Sequence, residues 1–164
     1  MASKNNYRQV SETERRKITL MILDEVDFFC RANNLKYIIS YGTLLGAIRH
    51  KGFIPWDDDL DITMPLPDML RLKKEYKSDL FKFCDVDTEP YYSFPFGRMA
   101  YKPTYRIEGK VCETYGVNID VYPVVGMYDQ KDKIEEFFAN ANKILKKRKR
   151  VMTYRAAMIC RLPI

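Results

Sequence analysis

The stretch SYGTLLGAIRHKGFIPWDDDLDITM, residues 40–64, decides how the chain is read. It holds three of the seven glycines, the only tryptophan (Trp56), the only histidine (His50) and four carboxylates within five positions, at Asp57, Asp58, Asp59 and Asp61. In an extended segment, side chains at alternate positions share a face. Asp59 and Asp61 would then point the same way, with Leu60 and Ile62 turned towards a core. Neighbouring carboxylates repel unless a cation or a shared proton sits between them. A hard divalent cation resolves the repulsion most simply, because it takes carboxylate oxygens. The alternative is a solvated acidic turn. Against it, the run abuts Leu60, Ile62 and Met64 and so edges a core. An EF-hand loop is excluded, because Ile62 stands at its glycine position and Asp68 at its bidentate glutamate position. A Walker-type phosphate loop fails too, because Gly42 and Gly46 are too close and no Gly-Lys-Ser/Thr follows.

Working outward, Leu35–Tyr41 reads as a strand that delivers a Gly42-Thr43 turn, and Leu44–His50 as a short helix opening from it. Backbone N–H groups at such a helix start are ready partners for phosphate oxygens, although, taken alone, the Gly-Thr pair is better explained as an ordinary tight turn. Arg49, His50 and Lys51 form a basic cluster that either holds phosphates or balances the aspartates. Trp56 could stack on a base or sugar, but core packing is the expected use of a lone tryptophan. Upstream, Ser11 and Glu14 make a capping box, and Ile18, Met21, Ile22, Val26 and Phe29 recur at helical spacing up to Asn33. Downstream, Asp58–Met64 is expected as a strand, Pro67 opens a helix to about Ser78, and Leu80–Val86 is a further strand. Pro90–Gly97 is an aromatic loop, and 97–101 with 104–107 suggests a hairpin around Lys102-Pro103. Val117–Pro123 is a β-rich run with one carboxylate, Asp120, among apolar residues. Either Asp120 faces solvent on an edge strand, or it is buried with a partner. Beside a diacid strand, the second reading makes it a third metal ligand. From Lys131 a helix runs towards Cys160, with apolar pairs every seven residues at 144–145, 151–152 and 158–159.

The 164 residues, 46% of them hydrophobic and 13% aromatic, indicate one globular domain over 1–164 with a basic helical segment at 131–161. The polar start carries no apolar leader, and no apolar run reaches membrane-spanning length. Cys30, Cys84, Cys112 and Cys160 are scattered without a C-x-x-C pair, which fits a reducing cytosol rather than a zinc site or disulfide framework. The net charge is +6, yet residues 143–164 hold eight Lys/Arg and no acid, leaving 1–142 at −2. That tail is either a solvated helix face or a contact with anionic membrane. Without aromatic interleaving it does not favour nucleic acid.

With these pieces assembled, the run from Tyr41 to Asp61 resembles the signature of the LicD family, and Gly116–Pro123 resembles its second motif. That family includes bacterial phosphocholine transferases and is similar to the fukutin-related ribitol-phosphate transferases. The resemblance covers roughly residues 15–125. It implies an α/β (α+β), nucleotidyltransferase-like mixed β-sheet flanked by helices. It further implies that Asp59, Asp61 and Asp120 are the catalytic residues and hold one or two Mg²⁺ (or Mn²⁺) ions. Gly42, Thr43, Arg49, His50, Trp56 and Arg98 would bind substrate. The implied donor is a CDP-alcohol such as CDP-choline or CDP-ribitol. The implied acceptor is a cell-surface glycan (lipopolysaccharide, teichoic acid or capsule), lipid-linked in some cases, with CMP released. The cysteine usage and polar start lead us to expect a cytoplasmic enzyme, with the basic tail as the candidate for a peripheral contact at the inner membrane face. Tyr91, Tyr92, Phe94 and Phe96 are candidates for cation–π contact with choline, with packing as the competing use. Ala100 departs from the family's usual basic residue, and its closing acidic-aromatic motif does not occur, so a reduced acceptor side is expected. Two other classes stay open: an NTP-using nucleotidyltransferase that releases pyrophosphate, and a non-catalytic nucleotide- or RNA-binding relic.

Overall fold

A computed structural model describes residues 8–89, 92, 94–108, 111–113, 116–126 and 129–159. The chain divides into a unit ending at Val124 and a second beginning at Val125. The first unit begins with helix α1 (Glu12–Ala32), and its capping box forms as the sequence predicts. The Glu14 amide donates to Ser11 Oγ at 3.3 Å and the Ser11 amide to Glu14 Oε2 at 3.1 Å. The expected apolar stripe buries Ile22, Val26 and Cys30.

Strand β1 spans only Ile38–Ile39, so the strand expected over Leu35–Tyr41 is much shorter. Helix α2 runs Tyr41–Arg49, which places Gly42 and Thr43 in its first turn rather than in a turn before it. Strand β2 is Asp61–Pro65 and begins three residues later than expected. Asp59 therefore precedes the strand, and the alternation argued for Asp59 and Asp61 does not hold. Helix α3 covers Leu66–Glu75 with Pro67 in its first turn. Strands β3 (Phe81–Cys84), β4 (Gly97–Tyr101), β5 (Arg106–Glu108), β6 (Val111–Glu113) and β7 (Asn118–Val124) complete the unit. The second unit contains helix α4, Lys131–Ile159. Among the described residues, no helix is long and apolar enough to cross a membrane.

Five strands form one mixed sheet in the order β1-β2-β7-β4-β3, while β5 and β6 pair separately. The hairpin expected between 97–101 and 104–107 is thus replaced: β4 lies between β3 and β7, and β5 turns to β6. Strands β2 and β7 run parallel, with Ile62 opposite Val121 and Asp61 opposite Asp120. Because side chains alternate across a strand, this register sorts the sheet into two faces. Ile62, Met64, Met99, Ile119 and Val121 join Ile22, Val26, Met69 and Leu72 in the main core beneath α1 and α3. Asp61, Asp120 and Arg98 fall on the opposite face. The result is an α/β fold with a mixed sheet flanked by helices, as the sequence implies.

One glycine decides how the loop after α2 can lie. A Cβ on Gly46 would meet the Gly52 carbonyl oxygen at 2.5 Å and the Ile54 amide at 3.2 Å, both backbone atoms. The helix and the 52–54 loop therefore touch directly, and that contact sets the start of the acidic run. Gly46→Ala should cost about 1–3 kcal/mol through this overpacking, read as a lowered urea midpoint. An unchanged midpoint would mean that the loop is not held by the helix.

Candidate active site at the β2–β7 seam

The two ordered carboxylates are neighbours because of the sheet register. Asp61 and Asp120 are opposed across a parallel pair and are 7% and 8% exposed. Strand β7 is central in the sheet, so the edge-strand reading of Asp120 is excluded. Backbone and side-chain bonds hold each group. The Asp61 amide donates to Thr43 Oγ1 at 2.8 Å and its carbonyl accepts from the Ser40 amide at 3.0 Å, which pins α2 to β2. Asp120 Oδ1 accepts from Arg98 Nε at 2.8 Å and from Asn118 Nδ2 at 3.0 Å. The Arg98 guanidinium lies 3.8 Å over the Phe94 ring and 5.7 Å from that of Phe96. This stacking fits the planar delocalised cation.

Asp61 Oδ1, by contrast, is buried with no hydrogen-bond partner among the described residues. Burial, followed by the charges of Asp59, Asp120 and Asp57, pushes the Asp61 carboxyl up to about 6. Asp59 is raised as well, by desolvation first, then by its hydrogen bond with Asp57 and by the charges of Asp57, Asp58 and Asp120. The Tyr122 phenol is pushed up to about 12 by burial and by Asp120 and Asp61. An orphaned carboxylate oxygen in a negative field fits a hard divalent cation. Asp57, Asp58 and Asp59 place one carboxylate oxygen each within 4.8 Å of one another. Asp59 thus belongs to that acidic loop and also acts electrostatically on Asp61.

The residues expected to bind substrate are dispersed. Gly42 and Thr43 sit beside the carboxylates in the first turn of α2. A Cβ on Gly42 would collide with the Asp57 carboxylate, so that carboxylate lies against the turn expected to receive phosphate. Arg49 is exposed in the last turn of α2, at the end away from Thr43. The His50 ring meets that of Trp56 edge-on at 6.3 Å. Trp56 is 83% exposed, which overturns its expected packing in the core. Tyr91 lies outside the described residues. Tyr92, Phe94 and Phe96 form a row with centroid spacings of 5.6 and 5.4 Å. Tyr122 continues the row 4.4 Å from Phe96, and Tyr41 lies 5.1 Å beyond Tyr122. Tyr41 opens α2 with φ 48°, a left-handed value that is rare for a bulky residue.

Sequence reasoning missed the arginines that fasten the acidic loop. Arg15 Nη1 donates to the Asp58 carbonyl and lies 2.8 Å from Asp58 Oδ2. Arg16 Nη2 donates to the Pro55 carbonyl at 2.8 Å and pairs with Glu12 at 2.8 Å. One signal was available, since two adjacent arginines near a helix N-terminus oppose the macrodipole and need another reason to be there.

Two cavities adjoin the acidic loop. One, of about 850 Å³, is lined by Arg8, Arg15, Arg98, Asn118 and Asp120 among others. The second, of about 470 Å³, is bounded by Leu20, Leu23, Ile39, Phe53 and Ile54. Asp59 lines both.

The Gly-Thr helix start, the paired aspartates on β2 and β7 and the mixed sheet are the features on which the sequence resembles a nucleotidyltransferase-type domain. The chain belongs to the LicD/FKTN/FKRP nucleotidyltransferase domain family, which it matches over residues 34–157. It is similar to the lipopolysaccharide cholinephosphotransferase LicD of Haemophilus influenzae, 46% identical over 57 residues, or 35% of this chain and 22% of that protein. It is also similar to uncharacterised proteins of Rickettsia prowazekii (57% over 42 residues) and Rickettsia typhi (46% over 61 residues). Those two matches cover 26% and 37% of this chain, and 16% and 19% of the respective relatives. The chain therefore matches only about a fifth of the length of these relatives.

Asp61 makes a pH prediction for the metal-free protein. Its folded pKa of about 6 lies above the ordinary value of about 3.9. Its contribution to stability is therefore fully present below pH ~4 and is lost as the pH rises through about 6. Asp61→Asn should flatten this loss and be roughly 1–2 kcal/mol more stable than wild type at pH 7, after discounting for solvent screening. Urea titrations of both proteins from pH 4 to 7.5, with chelator present, measure it. Parallel curves would show that Asp61 carries no repulsion.

Proposed function

We propose that this domain transfers a phospho-alcohol, phosphocholine or a polyol phosphate, from a CDP-alcohol to a hydroxyl of a cell-surface glycan. The observation that carries the reading is the opposed pair Asp61–Asp120, with one buried oxygen of Asp61 lacking a hydrogen-bond partner among the described residues. Membership of the family and the likeness to a cholinephosphotransferase support the choice of reaction.

Asp59, Asp61 and Asp120 would hold a divalent cation, Mg²⁺ or Mn²⁺, which supplies charge neutralisation and Lewis acidity to a phosphoryl group. The chain's own residues do the rest. Arg98 and Asn118 fix the orientation of Asp120, and Thr43 fixes the backbone of Asp61. Stacked on Phe94 and hydrogen-bonded to Asp120, Arg98 keeps a positive charge beside the carboxylates, so an anionic donor meets a smaller repulsion. The acceptor oxygen forms a bond to the phosphorus that bears the alcohol, and the bond from that phosphorus to the CMP oxygen breaks. The hydroxyl proton leaves to a carboxylate of the cluster, CMP departs as the anion, and a phosphodiester remains. Positioning and electrostatics carry most of such a reaction.

The test incubates the protein and Mg²⁺ with CDP-choline, CDP-ribitol, CDP-glycerol and the four NTPs in parallel, with a glycan extract as acceptor. Chromatography of the nucleotides should show acceptor-dependent CMP that falls at least about 100-fold in Asp61→Asn and Asp120→Asn, the scale of loss when key electrostatic groups are removed. Pyrophosphate released from an NTP, with no CMP from any CDP-alcohol, would replace this reading with a nucleotidyltransferase.

A further inference from the structure

We infer that α4 lies in the plane of an anionic lipid surface, with its apolar face at the boundary of acyl chains and headgroups and its lysines held near the headgroup charge. The inference stands apart from the reaction proposed above and rests on α4 alone.

Ile134, Phe137, Phe138, Ala141, Ile144 and Leu145 recur at i, i+3, i+4, i+7, i+10 and i+11, so they share one face of the helix. That face is open to solvent: Phe138 is 54% exposed, Ile144 67% and Leu145 51%. The Phe137 and Phe138 rings meet edge to face at 5.7 Å and make one aromatic block at its upstream end. Lys143, Lys146 and Lys147 repeat the i, i+3, i+4 spacing on the opposite face and are exposed.

Charge decides what covers the apolar face. Asp132, Glu135 and Glu136 lie in the first two turns, where Lys131 stands 3.9 Å from Glu135. Beyond them, residues 137–164 hold eight Lys/Arg and no acid, with five cations in succession at 146–150. Phenylalanines and aliphatics on one face with lysines on the other make a helix that lies in a membrane interface. A helix about 10–12 Å across, laid with its apolar face inward, keeps its polar face within about a Debye length of the headgroups. No described helix is long and apolar enough to cross a membrane, so α4 reaches lipid in the plane of the surface. A nucleic acid would meet the lysines but leave the apolar face in water, and no aromatic ring stands among the five cations for a base to stack on. A second copy laid parallel would cover the apolar face, yet it would set two blocks of five cations side by side.

Co-sedimentation of the whole chain with vesicles of phosphatidylcholine alone, and of phosphatidylcholine and phosphatidylglycerol in equal parts, tests the inference. The chain should pellet with the mixed vesicles and not with the neutral ones, and raising the salt from about 0.1 to 1 M should release it. Lys146→Gln with Lys147→Gln should partition about 25-fold more weakly, roughly fivefold for each cation lost. Ile144→Ser with Leu145→Ser, which keeps every charge, should weaken partitioning at least about tenfold. Lys17→Gln with Lys74→Gln removes the same charge from exposed lysines of α1 and α3 and should partition as wild type does. All three double variants alter exposed side chains, and circular dichroism should show wild-type helix content in each. Ultracentrifugation without lipid and titration with a single-stranded RNA oligomer run alongside. Equal pelleting with both kinds of vesicle would overturn the inference, as would a loss in the Lys17 and Lys74 variant as large as that in the Lys146 and Lys147 variant. A chain that pellets with neither would overturn it too, whether it binds the RNA instead or forms a dimer that Ile144→Ser with Leu145→Ser dissociates.

Discussion

Two like charges lie next to each other because β2 and β7 run parallel with Asp61 opposite Asp120. Neighbouring carboxylates in a partly desolvated setting raise one another's pKa, and Asp61 shows it. The surroundings compensate unevenly. Asp120 is neutralised by Arg98 and hydrogen-bonded by Asn118. Asp61 is held through its backbone, by Thr43 and Ser40, while Oδ1 of its side chain has no hydrogen-bond partner among the described residues. The two carboxylates thus stand in different surroundings: one is oriented and screened, and the other keeps a buried oxygen without a hydrogen-bond partner among the described residues.

Much of the fold was legible because local rules and burial agreed. The capping box at Ser11 and Glu14 and the stripe through Ile22 and Val26 predicted α1. The β-rich run around Asp120 predicted β7. What could not be read was pairing. A sheet register depends on partners far apart in sequence, so nothing local says that β4 slots between β3 and β7 and not against 104–107. The same applies to Asp59. Its alternation with Asp61 looked like a strand face, but the strand begins at Asp61, and Asp59 reaches the site from the loop that Gly46, Arg15 and Arg16 hold in place.

The site residues divide in the same way. Thr43, Asp61 and Asp120 could be named from their motifs, and the structure brings all three to the β2–β7 seam. Arg98 could be named as well, although its partner could not. Arg49 and His50 share the signature stretch, but α2 carries its last turn away from Thr43, and Trp56 stands in the loop beyond it. Closeness in sequence to a catalytic motif is thus a poor guide once a helix intervenes, since nine residues of helix span about 13 Å. Trp56 shows the opposite error. A lone tryptophan suggests core, but the loop that presents the aspartates also presents this ring to solvent.

The aromatic row beside the seam explains how a charged cluster can persist in a small domain. Phe94 and Phe96 flank the Arg98 guanidinium, and Tyr122 and Tyr41 extend the row. Apolar rings lower the local dielectric, which strengthens both the Arg98–Asp120 attraction and the repulsion felt by Asp61. The first effect holds Asp120 in place, and the second keeps the Asp61 carboxyl raised. Tyr41, with its left-handed backbone, sits where the row meets the start of α2, the helix that carries Thr43. Packing on one side of the sheet and electrostatics on the other are therefore one arrangement: the apolar core fixes the register of β2 against β7, and the register fixes the charges.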